Sequence, residues 1–188
     1  MKSLDGRWSL VTGASAGIGE ACAHRFAEDG AGLILWARRL DRLQDLAAEL
    51  QERSGAEVEI RQVDVRDRVL VVREAAALVA AGRVPDVILN NAGLASGFDA
   101  IHEGSYEDWD RMIDTNVKGL LNVTRELLPH IVARGTGHVV NIGSTAGHQV
   151  YPKGNVYNAS KFAVKALTEG INLDVAGTKV RVSSVDPG

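Results

Sequence analysis

Tyr157 and Lys161 stand four residues apart in the stretch YNASK. On a helix this spacing puts both side chains on one face, about 6 Å apart, where each feels the other's charge. The pair has two readings: a coincidence on a helix surface, or an acid–base catalyst with the cation that tunes it. A phenol ordinarily ionises near pH 10, so only about one in a thousand is charged at neutral pH, and a phenolic base needs a nearby positive charge. Two further groups have useful chemistry. Asn116, in DTNVKG, is awkward in mid-helix because its amide competes for backbone hydrogen bonds, which marks a kink or a polar relay. The turn Gly143-Ser144-Thr145 carries two hydroxyls directly behind an apolar run.

The elements that must position these groups alternate from end to end. WSLVT (Trp8 to Thr12), GLILW (Gly32 to Trp36), EVEIRQV (Glu57 to Val63), DVILN (Asp86 to Asn90), HVVNI (His138 to Ile142) and KVRVSSV (Lys179 to Val185) read as strands. Helix-period segments lie between them: Gly19 to Glu28, Asp41 to Arg53, Asp67 to Ala81, Glu107 to Arg134 and Asn155 to Val175. Breakers such as DGAG, RSG, GRVP and RGTG occupy the junctions. This alternation predicts an α/β fold, a doubly wound parallel sheet of six strands with helices on both faces. The first, second and fourth strands are almost wholly apolar, as covered central strands are. No repeat, low-complexity tract or linker interrupts residues 1–188, so a single domain is expected.

In such sheets ligands bind beyond the carboxyl ends of the strands, and the residues found there are informative. TGASAGIG (Thr12 to Gly19) follows the first strand. Its glycines Gly13, Gly17 and Gly19 allow a tight turn that brings backbone amides to a pyrophosphate at a helix N-terminus. Ala37-Arg38-Arg39 follows the second strand. An NAD site commonly places a carboxylate here, whereas a small residue followed by arginine leaves room and charge for a 2′-phosphate, which favours NADP. Arg39 has an equal reading as solvation of a helix start. Asp64-Val65 and Asn90-Asn91-Ala92-Gly93 close the third and fourth strands where an adenine edge and a ribose would lie, and both are also ordinary turn sequences.

Composition narrows the classes further. Hydrophobic residues make up 45% of the 188 and charged residues 24%, and a net charge of −3 offers no basic field for nucleic acid. Cys22 is the single cysteine; it excludes an internal disulfide, and its neighbours EACAHRF predict a buried thiol. With five scattered histidines it makes no metal-ligand cluster, so no metal is expected. MKSLDGRWSL has no apolar leader and no run reaches the ~20 apolar residues of a membrane helix, which leads us to expect a cytoplasmic protein with no membrane partner.

Taken in order, TGASAGIG, NNAG, Asn116, Ser144, YNASK and the closing DPG resemble the short-chain dehydrogenase/reductase family over the whole chain. The resemblance implies a nicotinamide-dinucleotide domain with catalytic Asn116, Ser144, Tyr157 and Lys161. It further implies cofactor contacts from Gly13, Ser15, Ala16, Gly17, Ile18 and Gly19, from Arg38 and Arg39, from Asp64 and Val65, and from Asn91, Ala92 and Gly93. Tyr157, Lys161, Pro187 and Gly188 complete that set. Removal of a hydride from an alcohol requires its hydroxyl proton to leave as well, and Tyr157 would be the base that takes it. Lys161 would assist it and hold the nicotinamide ribose, Ser144 would bind the substrate oxygen, and Asn116 would hold a water that relays protons from Lys161.

Within the family, ILNNAGLASG, EDWDRMIDTNVKGLLNVTRELLP, NIGSTAGHQVYPKGNVYNASK and LDVAGTKVRVSSVDPG resemble most the NADP-dependent 3-hydroxy acid and serine dehydrogenases. Expected substrates are then small 3-hydroxy acids or β-hydroxy amino acids, and Lys153 in the loop GHQVYPKGNV could attract a carboxylate. Other carbonyl substrates, namely ketones, sugars or 3-oxoacyl thioesters, and a non-catalytic NADP-binding fragment or regulator are the competing readings. The resemblance also implies a homo-oligomer, a tetramer or dimer, and a C-terminal segment beyond Gly188 with a last strand and a substrate-covering helical part.

Overall fold

A computed structural model describes residues 3–188. Six parallel strands form one sheet in the order β3-β2-β1-β4-β5-β6. The first half of the chain supplies β1 (Trp8–Thr12), α1 (Gly17–Glu28), β2 (Gly32–Ala37), α2 (Leu40–Ser54), β3 (Val58–Gln62), α3 (Arg68–Ala80) and β4 (Val87–Asn90). The second half supplies α4 (Tyr106–Ile113), α5 (Leu120–Arg134), β5 (Thr136–Ile142), α6 (Asn155–Asp174) and β6 (Lys179–Val185). Strand order reverses between β1 and β4, and the crevice of a doubly wound sheet opens there.

The side-chain period of two along each strand divides the core. Leu10, Ile34, Ile88 and Val139 face one side, against Val71 and Leu78 of α3 and Val123, Leu127 and Ile131 of α5. Val11, Leu33, Leu35 and Leu89 face the other, against Ala23 and Ala27 of α1 and Leu43, Leu46 and Leu50 of α2. Leu10, Leu33, Ile34 and Leu35 have no exposed surface. Each such side chain contributes about 1.5–3 kcal/mol from leaving water. A slip of one residue in any central strand would exchange these faces, so the apolar pattern holds the register and with it the strand ends.

Polar side chains tie the layers beneath the crevice. Asn90 Nδ2 donates to Thr124 Oγ1 at 3.0 Å and to Asn141 Oδ1 at 2.9 Å, and Asn141 Nδ2 donates to Thr168 Oγ1 at 2.9 Å. These buried bonds join β4 and β5 to α5 and α6, where unpaired groups would cost far more than in water.

The long segment expected as one helix from Glu107 to Arg134 is α4 and α5 joined by a π-helical turn, Asp114–Gly119, around Asn116. The widened turn is the local distortion that a mid-helix asparagine suggests. Cys22 departs from expectation: its thiol is half-buried at the rim of the α1–α2 core, where burial pushes its pKa up. No helix among the described residues is long and apolar enough to cross a membrane.

Candidate active site

A cleft of about 470 Å³ runs along the carboxyl ends of the strands, and a smaller one of about 60 Å³ adjoins it, with Ala95 and Tyr157 lining both. Of the glycine-rich turn, Gly13, Ser15, Ala16 and Ile18 line the large cleft, whereas Gly17 and Gly19 do not. Gly19 instead permits close packing, because a Cβ there would stand 2.5 Å from Asn91 Nδ2 and 2.6 Å from the Gly13 carbonyl oxygen. The N-terminus of α1 carries no side-chain cap, so its amides are open donors facing the turn.

The two arginines after β2 divide their work. Arg39 Nε and Nη2 donate to Ser15 Oγ at 3.2 and 3.0 Å, and Nη2 also donates to the Ser15 carbonyl at 3.3 Å. Arg39 therefore clamps the glycine turn, a role that the helix-start reading misses because Ser15 lies 24 residues away. Arg38 is exposed at the cleft and its guanidinium makes no hydrogen bond among the described residues. Beside it, Asp64 accepts a two-pronged contact from Arg66 at 2.6–3.0 Å. Burial, the largest single influence on Asp64, opposes ionisation, yet the Arg66 hydrogen bonds and the fields of Arg66 and Arg38 hold its carboxyl below the ordinary value.

Asn91, Ala92 and Gly93 also line the cleft, but the Asn91 amide is committed: Nδ2 donates to the carbonyls of Thr12 at 2.9 Å and Gly13 at 3.2 Å. Thr12 Oγ1 accepts from the backbone amides of Asn91 and Ala92, both at 3.0 Å. Thr12 is thus a linchpin between β1 and the loop after β4. Its position at the head of TGASAGIG was the available signal.

Ser144, Tyr157 and Lys161 meet in the large cleft with Pro187 and Gly188. Tyr157 and Lys161 lie one turn apart on α6, and Lys161 Nζ sits 5.9 Å from the centre of the Tyr157 ring. Lys161 is only 7% exposed and donates to the Ile142 carbonyl at 2.9 Å. Burial pulls its ammonium below the ordinary value, and the Asp186 carboxylate works against that pull. Ser144 is buried, and its Oγ accepts from the Ala146 amide at 3.1 Å at the start of a 3₁₀ turn, Thr145–Gly147.

Asn116 does not line the cleft; it stands behind it. Its Oδ1 accepts from the Leu94 amide at 2.9 Å, and Nδ2 donates to the Leu94 carbonyl at 2.9 Å and to Ser160 Oγ at 3.0 Å. The side chain fastens the loop after β4 to α6. Oδ1 keeps one lone pair, and a Cβ at Gly93 would stand 3.3 Å from Oδ1 and 3.7 Å from Lys161 Nζ, so both groups border the same point. Ser160, inside YNASK and donating through its Oγ to the Tyr157 carbonyl at 2.7 Å, was not singled out by sequence. Nor was Asn158, whose Nδ2 fixes the Ala146 and Gln149 carbonyls.

The smaller cleft carries Lys153, the one non-glycine residue with positive φ (65°) among the described residues. Its Nζ lies 5.8 Å over the Phe98 ring. Among the described residues no cluster of His, Cys, Asp or Glu could hold a metal ion. The larger cleft suits NADP: uncapped α1 amides for the pyrophosphate, a small Ala37 with no carboxylate behind β2, and the unpartnered Arg38 guanidinium for a 2′-phosphate.

A doubly wound sheet, an open glycine-turn helix end and a Ser–Tyr–Lys cleft define a nicotinamide-dependent dehydrogenase. The chain belongs to the short chain dehydrogenase family, whose sequence profile matches residues 7–188. It is 49% identical over 179 residues to the NADP-dependent 3-hydroxy acid dehydrogenase YdfG of Salmonella typhi, covering 95% of this chain and 71% of that protein. It is 44% identical over 180 residues to sulfoacetaldehyde reductase 2 of Chromohalobacter salexigens, again over 95% of this chain and 71% of that one. The closed form of a serine dehydrogenase complexed with NADP+ superposes with a TM-score of 0.91 at 46% identity, covering 96% of this chain and 71% of that one.

Proposed function

We propose that this protein is an NADP-dependent oxidoreductase acting on the CH–OH group of a small 3-hydroxy acid or β-hydroxy amino acid: L-serine, L-allo-threonine, 3-hydroxyisobutyrate or, in reverse, the matching semialdehydes. The observation that carries the reading is the convergence of Tyr157, Lys161 and Ser144 in one cleft, with the buried Lys161 ammonium 5.9 Å from the phenol ring. The relatives support the substrate and cofactor through their activities on a 3-hydroxy acid and on serine and through their NADP dependence.

NADP when bound supplies the hydride acceptor. Everything else falls to the chain. Tyr157 as phenolate takes the substrate hydroxyl proton as the C–H bond breaks, and in the reductive direction the phenol gives it back and is left as phenolate. That phenolate faces the buried Lys161 ammonium, which offsets its charge at short range. Ser144 Oγ donates to the substrate oxygen while accepting from Ala146, which holds the hydroxyl hydrogen toward the cleft. Lys161 orients the nicotinamide ribose and, after reduction, passes a proton toward the Tyr157 phenolate, and the free lone pair of Asn116 Oδ1 holds a water from which Lys161 regains that proton. Residues 1–188 act as one dinucleotide-binding domain, and the working protein is a cytoplasmic homo-oligomer, a tetramer or a dimer.

The neighbouring cleft supports an anionic substrate. Lys153 has no carboxylate partner among the described residues, and its ammonium, 5.8 Å over the Phe98 ring, belongs to a cleft that Tyr157 also lines. The same feature favours a second reading, reduction of a short sulfonated aldehyde, in keeping with the sulfoacetaldehyde reductase relative. A substrate panel at fixed NADP(H) tests both. We expect turnover of the 3-hydroxy acids and semialdehydes; activity confined to steroids, sugars or acyl thioesters would remove the assignment, and activity confined to sulfoacetaldehyde would select the second reading.

A further inference from the structure

We propose that Asp186 is a positioning residue of the reaction: its carboxylate clamps the Gly143–Ser144 turn and serves as the counter-charge of the buried Lys161 ammonium. Asp186 follows the last residue of β6, and its two oxygens are both engaged. Oδ1 accepts from Ser184 Oγ at 2.6 Å, and Oδ2 lies 3.0 Å from His148 Nε2 beyond the 3₁₀ turn. A Cβ added to Gly143 would collide with Asp186 Oδ1, so the carboxylate occupies the place where a side chain at position 143 would project. Backbone bonds zip the same two segments, Gly143 N–H to the Val185 carbonyl at 2.8 Å and Thr145 N–H to the Pro187 carbonyl at 3.0 Å.

Lys161 holds this turn from the other direction through the Ile142 carbonyl at 2.9 Å. The segment Ile142–Ser144 is therefore gripped between a buried cation and a carboxylate that form no direct ion pair. Asp186 acts on the buried Lys161 by its field across the turn, a field that water at the exposed carboxylate screens only in part. The charged or titratable groups facing Asp186 are His148 from the 3₁₀ turn and Lys161 from α6, while Tyr157 faces Lys161 from its own helix. Burial is the main influence lowering the lysine pKa, and Asp186 is the carboxylate that opposes it. Burial, the largest single influence on Asp186, opposes ionisation, but Ser184 and His148 together outweigh it and hold the carboxyl below the ordinary range, so it stays anionic throughout the neutral range.

This role rests on the proposed function only in supposing that a charged Lys161 matters to catalysis; the charge coupling itself is measurable in the cofactor-free protein. The test is ¹³C NMR titration of lysine Cε in the full chain, with the Lys161 signal assigned by its loss in Lys161→Arg. Asp186→Asn should lower the Lys161 midpoint by a few tenths of a pH unit to about one, as expected for loss of an opposite charge that water partly screens, and Asp186→Glu should restore most of it. NADPH affinity should then fall at correspondingly lower pH in Asp186→Asn. If Asp186→Asn fails a near-UV circular dichroism check of folding, Asp186→Ser, which keeps a hydroxyl for Ser184 and removes the charge, gives the same comparison. An unchanged Lys161 midpoint in a folded neutral variant, or a fall in Asp186→Glu equal to that in Asp186→Asn, overturns the proposal. Absence of NADPH binding by the wild type would instead sink the cofactor reading and leave the lysine titration interpretable.

Discussion

Replacing Arg38 and Arg39 separately by alanine should give two different losses, although the residues are adjacent and identical. Arg38 is exposed at the cleft with an unpartnered guanidinium, so its contact with a 2′-phosphate would be charge-assisted and partly screened. Such bonds are worth about 1.5–3 kcal/mol, and exposure argues for the lower end, which is a loss of roughly 10-fold in NADP affinity with NAD nearly unchanged. Arg39 is spent on Ser15 through three contacts of 3.0–3.3 Å. Its removal loosens the glycine turn that both cofactors share, and about 1 kcal/mol of lost hydrogen bonding predicts a drop of roughly 5-fold for NAD and NADP alike. Ala37→Asp should go beyond Arg38→Ala and reverse the preference, since it adds repulsion toward the phosphate and an acceptor for ribose hydroxyls. Dissociation constants for both cofactors, measured by fluorescence titration at low and high salt, check all three variants. Equal losses of NAD and NADP in Arg38→Ala, or a loss confined to NADP in Arg39→Ala, would refute this division of labour.

Other consequences of the structure are as direct. Tyr157→Phe should lower turnover at least ~100-fold while NADPH affinity stays near wild type, because only the acid–base hydroxyl is lost; retention of a tenth of the activity would remove Tyr157 from that role. Lys153→Gly should raise stability by about 1 kcal/mol by relieving a left-handed backbone, whereas Lys153→Ala should not, and a thermal melt compares them. Both variants should raise KM for carboxylate substrates, and an unchanged KM would make Lys153 a bystander. Glu59, on the edge strand β3, is opposed by burial but held ionised below the usual carboxyl range by Arg83 and Arg61. A depressed carboxyl contributes stability above its unfolded pKa of about 4.3 that is lost as pH falls through the folded value. Glu59→Gln should therefore cost about 2 kcal/mol in urea unfolding at pH 7, and the gap to wild type should close in acid; a gap that persists at acid pH would contradict the pairing.

Much of this protein is legible in local sequence because its signals are short in range. Alternating apolar runs and helix-period stretches mark the six strands to within a few residues and the helical stretches between them, though not the break between α4 and α5, since burial on a sheet face or a helix stripe is a nearest-neighbour pattern. The Tyr157–Lys161 pairing follows from helix geometry alone, and the observed 5.9 Å agrees with it. Asn116 announced a distortion through its own side-chain chemistry, and a π-helical turn lies there. What the amide does is another matter: its partners Leu94 and Ser160 lie 22 and 44 residues away, and only the packing of the β4 loop against α6 selects them. Arg39 is similar. Two adjacent arginines are indistinguishable as letters, and the crossover from β1 through α1 to β2 decides which one reaches Ser15. Cys22, read from small apolar neighbours as buried, is half-buried because α1 turns only part of that stretch toward the sheet. His148 and Asp186 meet across 38 residues because the turn after β5 and the end of β6 are neighbours in the sheet. Periodicity carries no information about such pairs; strand order creates them, and strand order is settled by the whole core at once.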